Sequence, residues 1–229
     1  MEKKYILTDD VIDFNGHTLH RIKAVRDFDC VKAGDLGGFI ESEKNLDHDG
    51  AAWVSDSARV TGAALVTGAA RVSDSALVTG AARVSGDARV SDSALVTDFA
   101  RVSGAAWVTD SARVSDSARV TGAALVSDSA LVTDSALVTG FARVSGDALV
   151  TGAAVVSGDA DFAVISGFGR VFRTTTFFRC KDNVRCQCGC FYGTVDEFRS
   201  KVRETHGNSK YAKEYLMIAD LMELHFKED

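Results

Sequence analysis

Cys186, Cys188 and Cys190 alternate near the end of the chain, and Cys180 stands six residues before the first of them. Alternation along a strand puts the first three on one face, with Cys180 opposite across a hairpin. Four thiols could hold a zinc ion, yet C-x-C-x-C lacks the paired C-x2-C knuckles of structural zinc sites. The plainer expectation is that Cys180, Cys186, Cys188 and Cys190 are small buried hydrophobes. Histidine is the usual general base, and the five histidines are His17, His20, His48, His206 and His225. Between Val54 and Ala160 there is no His, Lys, Cys, Tyr, Asn, Gln or Glu. Aspartate is therefore the one general base available there, and no insertion is present to build a pocket lid.

What fills that stretch is a six-residue sentence repeated eighteen times. Every sixth residue from Val54 to Val156 is valine, and every sixth from Ala58 to Ala160 is alanine. After each valine comes Ser or Thr, as in Ser55 and Thr61, and then Gly or Asp, as in Asp56 and Gly62. A fixed period marks a stacked repeat, and six residues are too few for a helical pair or a propeller blade. A β-branched residue followed by a hydroxyl and then Gly or Asp is strand-then-corner chemistry. Gly and Asp both accept left-handed backbone, so each hexad carries its own corner. Inside a strand neighbours face opposite ways, so valines that point inward leave the flanking residues outward.

With Val54 and Ala58, Val60 and Ala64, and so on to Val156 and Ala160, the chain resembles the hexapeptide-repeat superfamily of left-handed parallel β-helices, best known from bacterial acyltransferases. It departs from that pattern after the valine, where Ser55, Thr61 or Thr67 stands in place of the family's Gly, Ala or acid. The resemblance implies an all-β solenoid, wound left-handed, in which three hexads make one triangular coil of 18 residues and eighteen hexads make six coils. It also implies a histidine base on or beside the coils and an acetyl-CoA site in a groove between subunits. Since the coils hold no histidine, the candidate would be His48, which falls in a valine position six residues before Val54. Otherwise His48 is an edge residue of the first coil. In its order of parts the chain is similar to capped bacterial and prophage proteins labelled hexapeptide acyltransferases.

Three parts follow from the pattern: an N-terminal cap over residues 1–46, the repeat over 47–170, and a C-terminal cap over 171–229. In the first, Asn15-Gly16 between two apolar runs predicts a β-hairpin. The Gly-rich stretch Ala33 to Ile40 matches no phosphate-binding motif and predicts an irregular first coil. Phe162 and Phe168 continue the valine phase and predict a core that widens toward the far cap. There, Val171 to Cys180 and Val184 to Cys190 predict a hairpin. Thr194 to Glu197 reads as a capping box opening a helix that ends near His206. A second helix over about 209–226 has one apolar face, expected to lie on the last coil.

The net charge of −6 with a pI near 5.4 argues against nucleic acid or an anionic membrane as the main partner. No export signal or long apolar run is evident, and an odd five cysteines read as reduced thiols in a cytoplasm. Columns of outward residues should recur every 18 positions. One of them, Arg59, Leu77, Leu95, Arg113, Leu131 and Leu149, runs beside Thr61, Thr79, Thr97, Ser115, Thr133 and Thr151. This least charged face predicts a homo-oligomer packed through Leu77, Leu95, Leu131 and Leu149, unless mixed Leu and Arg merely satisfy strand propensity. The hydroxyl row also raises ice binding, although Leu or Arg fills the place of a second Thr. The leading expectation is a rigid scaffold or interaction module without catalysis in its coils and without a cofactor. An acyltransferase with its site at a cap or subunit interface is the alternative, and no small-molecule ligand is named by the residues.

Overall fold

The computed structural model of the protein describes residues 2–227. Three N-terminal strands, Tyr5–Phe14 (β1), His17–Ala24 (β2) and Leu36–Ile40 (β3), precede eighteen two-residue strands, one per hexad. These are β4 to β21, running from Trp53–Val54 to Val155–Val156. Each strand but the last, β21, stops because the second residue after its valine turns left-handed. Asp56 and Asp74 have φ of 55° and 58°, and Gly62 and Gly68 have 66° and 71°. Most corners are then closed locally, as where the Ala58 N–H donates to the Ser55 carbonyl at 3.1 Å.

Three corners bring the chain round one level. Val54 then pairs in parallel with Val72, Val60 with Val78 and Val66 with Val84, always 18 residues on. The ladder runs through strand and corner alike. Arg59 N–H donates to Ala76 C=O at 2.9 Å, Thr61 N–H to Val78 C=O at 3.0 Å, and Ser57 N–H to Asp74 C=O at 2.9 Å. The result is three parallel walls. We call them the leucine wall (β5, β8, β11, β14, β17, β20), the tryptophan wall (β4, β7, β10, β13, β16, β19) and the arginine wall (β6, β9, β12, β15, β18, β21). The valines at every sixth position from Val54 to Val156 are 0% exposed, and the alanines at every sixth position from Ala58 to Ala154 at most 1%. The inward column is thus built as the hexad pattern requires.

The stack has about seven coils, one more than the hexads alone supply. Phe39 and Ile40 of β3 pair in parallel with Arg59 and Val60, and Leu46 bridges Val66, so 36–52 forms a first, irregular turn. Gly38 is bare because a side chain there would strike Val54 and the Ala58 carbonyl of the coil beneath. The Asn15-Gly16 hairpin is present, with both residues at positive φ. Its strands β1 and β2 continue antiparallel from β3 and extend the leucine wall. An open first coil would expose unpaired backbone, and this extension covers it.

The other end differs from expectation in two ways. The parallel stack stops at Val156; Phe162–Phe168 (β22) pairs antiparallel with Arg173–Arg179 (β23) instead of making another coil. Phe162 is half-buried beside the coil core and Phe168 is exposed, so neither widens the bore, and Ala160 is exposed in a short turn. The expected hairpin of β23 and Val184–Cys188 (β24) is therefore the middle of a four-stranded sheet completed by Phe191–Thr194 (β25). The helices form where expected, Val195–His206 (α1) and Lys210–His225 (α2), capped by Thr194 and Ser209. They do not lie on the last coil. Phe178 faces the coil core and its neighbour Phe177 faces the helices, because strand neighbours point opposite ways. The sheet is thus a lid between two cores, and the apolar face of α2 (Tyr215, Ile218, Ala219, Met222) packs on the lid's outer side. No helix among the described residues is long and apolar enough to cross a membrane.

Candidate functional site

The walls of the stack offer three different surfaces. On the leucine wall Leu77 is directly opposed to Leu95 and Leu131 to Leu149, with Arg113 between the two pairs. All four leucines are half-buried by their own coil. Arg59, at the N-terminal end of the column, is stacked on Phe14 of the hairpin with 4.4 Å to the ring centroid. At the other end the Leu149 N–H donates to Thr176 Oγ1 of the lid at 3.1 Å. The candidate association residues therefore form one stripe bounded by both caps. Beside it the hydroxyls bond along the column: Thr61 to Thr79 at 2.8 Å, and Ser115 to Thr133 at 3.2 Å.

The corners are sorted as sharply as the walls. After the tryptophan wall they read Asp56, Asp74, Asp92, Asp110 and Asp128 before ending at Gly146, while after the arginine wall they read Gly68, Gly86, Gly104, Gly122 and Gly140. In the aspartate edge each carboxylate accepts from the backbone N–H of the next, as Asp74 Oδ2 from Asp92 at 3.5 Å and Asp92 Oδ2 from Asp110 at 3.4 Å. Thr109 and Ser91 hydroxyls also donate to Asp92, and with the Asp110 N–H they hold its carboxyl below the usual range. Thr133, Ser115 and the Asp134 N–H do the same for Asp116, at the corner after the leucine wall. This sorting escapes a reading by hexads and emerges only when corner residues 18 apart are compared.

His48 belongs to the N-terminal cap. Its ring stacks on Tyr5 with centroids 4.3 Å apart, and Nδ1 accepts from the Lys4 N–H at 3.3 Å. Nε2 is shut off from solvent, 3.8 Å from Glu43 and without a hydrogen bond. In this geometry His48 packs within the cap, against Tyr5. Beneath it lies a fully buried lysine. Lys4 Nζ is 3.4 Å and 3.5 Å from the carbonyls of Asp49 and Gly50 and 5.2 Å from the centre of the Phe28 ring. Burial lowers its ammonium pKa to about 8, against the opposing pull of Asp47.

The cysteines are divided. Cys186 sits opposite Phe177 in the helix-side core, where burial pushes its thiol well up, and half-buried Cys188 follows on the same face. Cys180 lies on the coil side, its thiol also raised by burial, and Cys190 is exposed in the turn before β25. The four therefore do not converge. Among the described residues no group of three or more His, Cys, Asp or Glu is placed to hold a metal ion.

Two hollows stand out. One, of about 430 Å³, lies on the tryptophan wall beneath the loop of Asp29 to Val31; Trp107 stacks with Arg89 at 5.0 Å, and Arg71 is paired with Asp29. The other, of about 330 Å³, lies in the C-terminal cap between the β22–β23 turn, the β24–β25 turn and the helices.

Among known families, the YdcK beta solenoid repeat matches residues 82–98 and 142–158. Each segment is about one coil long. Their starts are 60 residues apart, ten hexads but not a whole number of 18-residue coils, so the likeness follows the hexad and not any one wall. None of the curated proteins matches the chain. Stacked parallel walls and this repeat together make the chain a β-solenoid repeat protein.

Proposed function

We propose that the protein is a rigid, non-catalytic scaffold that self-associates through its leucine wall. The observation that carries this reading is the column Leu77, Leu95, Arg113, Leu131, Leu149, an apolar stripe with one cation at its midpoint. Read from either end these five residues are the same, since Arg59, the sixth member of the column, is taken up by Phe14. Such a pattern is self-complementary about a two-fold axis, which is what an isologous dimer needs. An axis beside Arg113 lays Leu95 against the partner's Leu131 and Leu77 against the partner's Leu149.

Size sets the strength. Six rungs at about 4.8 Å, from Arg59 to Leu149, and four residues of each at about 3.3 Å along the strand give a flat patch of roughly 400 Å² per subunit. That is about half of what a stable standard interface buries on each side, so the dimer is a weak one, formed at micromolar concentrations and above. Arg113 facing its own copy weakens it further.

The coils supply no base but aspartate, and the histidine nearest to them is turned into its cap, so no observation favours acyl transfer here. Size-exclusion chromatography with light scattering, from micromolar to high micromolar protein, tests the reading. The wild type is expected to move from monomer toward dimer mass. Leu95→Lys with Leu131→Lys should stay monomeric, and Arg113→Leu should dimerise at lower concentration. A wild type that stays monomeric throughout overturns it.

A further inference from the structure

The hollow in the C-terminal cap gathers four basic side chains around one opening. Its rim carries Arg170, Arg173, Lys201 and His206, and no carboxylate lines it. Lys201 is shared with Glu204 at 3.0 Å. Arg170 and Arg173 have no carboxylate partner among the described residues, in a chain whose net charge is −6. The floor is apolar: Phe198, Val202 and Tyr215 are buried, and Phe191 is half-buried.

The rim is held in place by close contacts. The Tyr215 hydroxyl lies against Gly169, where a Cβ would collide with it, and donates to the Phe168 carbonyl at 3.4 Å. The Arg173 guanidinium lies across Gly189, again where a Cβ would stand. Both glycines have positive φ, 74° and 60°, and so does Phe172 at 52°, a conformation that costs a bulky residue energy. Such backbone strain concentrates where a turn has a task beyond connecting strands.

We infer that this hollow binds a small amphipathic anion, with its carboxylate or phosphate head on Arg170 and Arg173 and its acyl or aryl tail against Phe191, Phe198 and Val202. Guanidinium groups pair with either head in bidentate fashion, and about 330 Å³ is at the small end of ligand cavities. The site is separate from the leucine wall and does not depend on self-association.

Octyl phosphate, kept below its micelle concentration, is the probe, titrated calorimetrically against the full chain. Saturable binding at one site per chain is expected, with inorganic phosphate and octanol each at least tenfold weaker. Arg170→Ala with Arg173→Ala should weaken binding at least tenfold. Should that variant lose its fold by circular dichroism, Lys201→Glu on the exposed rim should give the same loss. Absence of saturation, octanol binding as tightly as octyl phosphate, or full affinity in folded rim variants would each overturn the assignment.

Discussion

Replacing one corner glycine by alanine gives two different outcomes, depending on what is stacked beneath it. Gly104 and Gly146 have nearly the same backbone, with φ of 69° and 66°. A Cβ at Gly146 would meet nothing within 4 Å, because position 164, one coil further on, already belongs to the lid. A Cβ at Gly104 would come 2.8 Å from the carbonyl oxygen and 3.0 Å from the nitrogen of Gly122 in the next coil. Left-handed backbone costs an L-residue about 1–2 kcal/mol, partly offset by roughly 0.4–1 kcal/mol from a less flexible unfolded chain. Gly146→Ala should therefore lose at most about 1.5 kcal/mol. Gly104→Ala adds the cost of prising two coils apart, about 1–3 kcal/mol by analogy with overpacked cores. For a chain of this size that difference separates the melting temperatures by roughly 2–12 °C. Thermal unfolding followed by circular dichroism reads it directly. Equal losses for the two variants, or a larger loss at Gly146, would refute the claim that corners stack at intervals of 18.

Acid should loosen the stack. Asp92 and Asp116 have carboxyl pKa values held below the usual range by hydroxyl and backbone donors. Their contribution is present above the ordinary carboxylate pKa and disappears as pH falls through the lowered folded value; urea midpoints should drop below about pH 4, and Asp92→Asn should flatten that drop. Lys4 works the other way. Its folded pKa of about 8 lies under the ordinary lysine value, so the unfolded chain binds the extra proton between them and stability should rise with pH above about 8. Urea midpoints of the wild type and Lys4→Met from pH 7.5 to 9.5 check this; a rise that persists in the variant would show another group to be responsible.

The coils are legible in the sequence because one rule covers every residue in them. Valine, hydroxyl and Gly or Asp specify strand, wall and corner without reference to anything distant in sequence. At the caps that locality fails. Phe162-Ala163-Val164-Ile165-Ser166-Gly167-Phe168 keeps the valine phase by coincidence, yet its partner is β23 and not another coil. An antiparallel strand with the same spacing satisfies the same local preferences, and only tertiary pairing decides between them. The amphipathic face of α2 is plain in the sequence, but the surface it covers is not, since that is the outer side of a sheet whose β22 mimics a coil and whose β25 is only four residues long. The cysteines show the same limit. Strand alternation correctly puts Cys186 and Cys188 on one face, but Cys190 falls in a turn and Cys180 shares a face with Phe178. Of the candidate surfaces, the leucine column is readable from the 18-residue spacing alone. The cationic hollow is not, because its rim comes from two turns and a helix that only the fold brings together.

Small-angle X-ray scattering as a function of concentration tests the scaffold reading most directly, since it reports where two copies touch as well as whether they do. Side-by-side packing on the leucine wall predicts that the cross-sectional radius grows with concentration while the maximum dimension changes little, and that Leu95→Lys with Leu131→Lys abolishes the growth. Lengthening of the particle, which would place the contact at the caps, or profiles that superimpose at every concentration would contradict it.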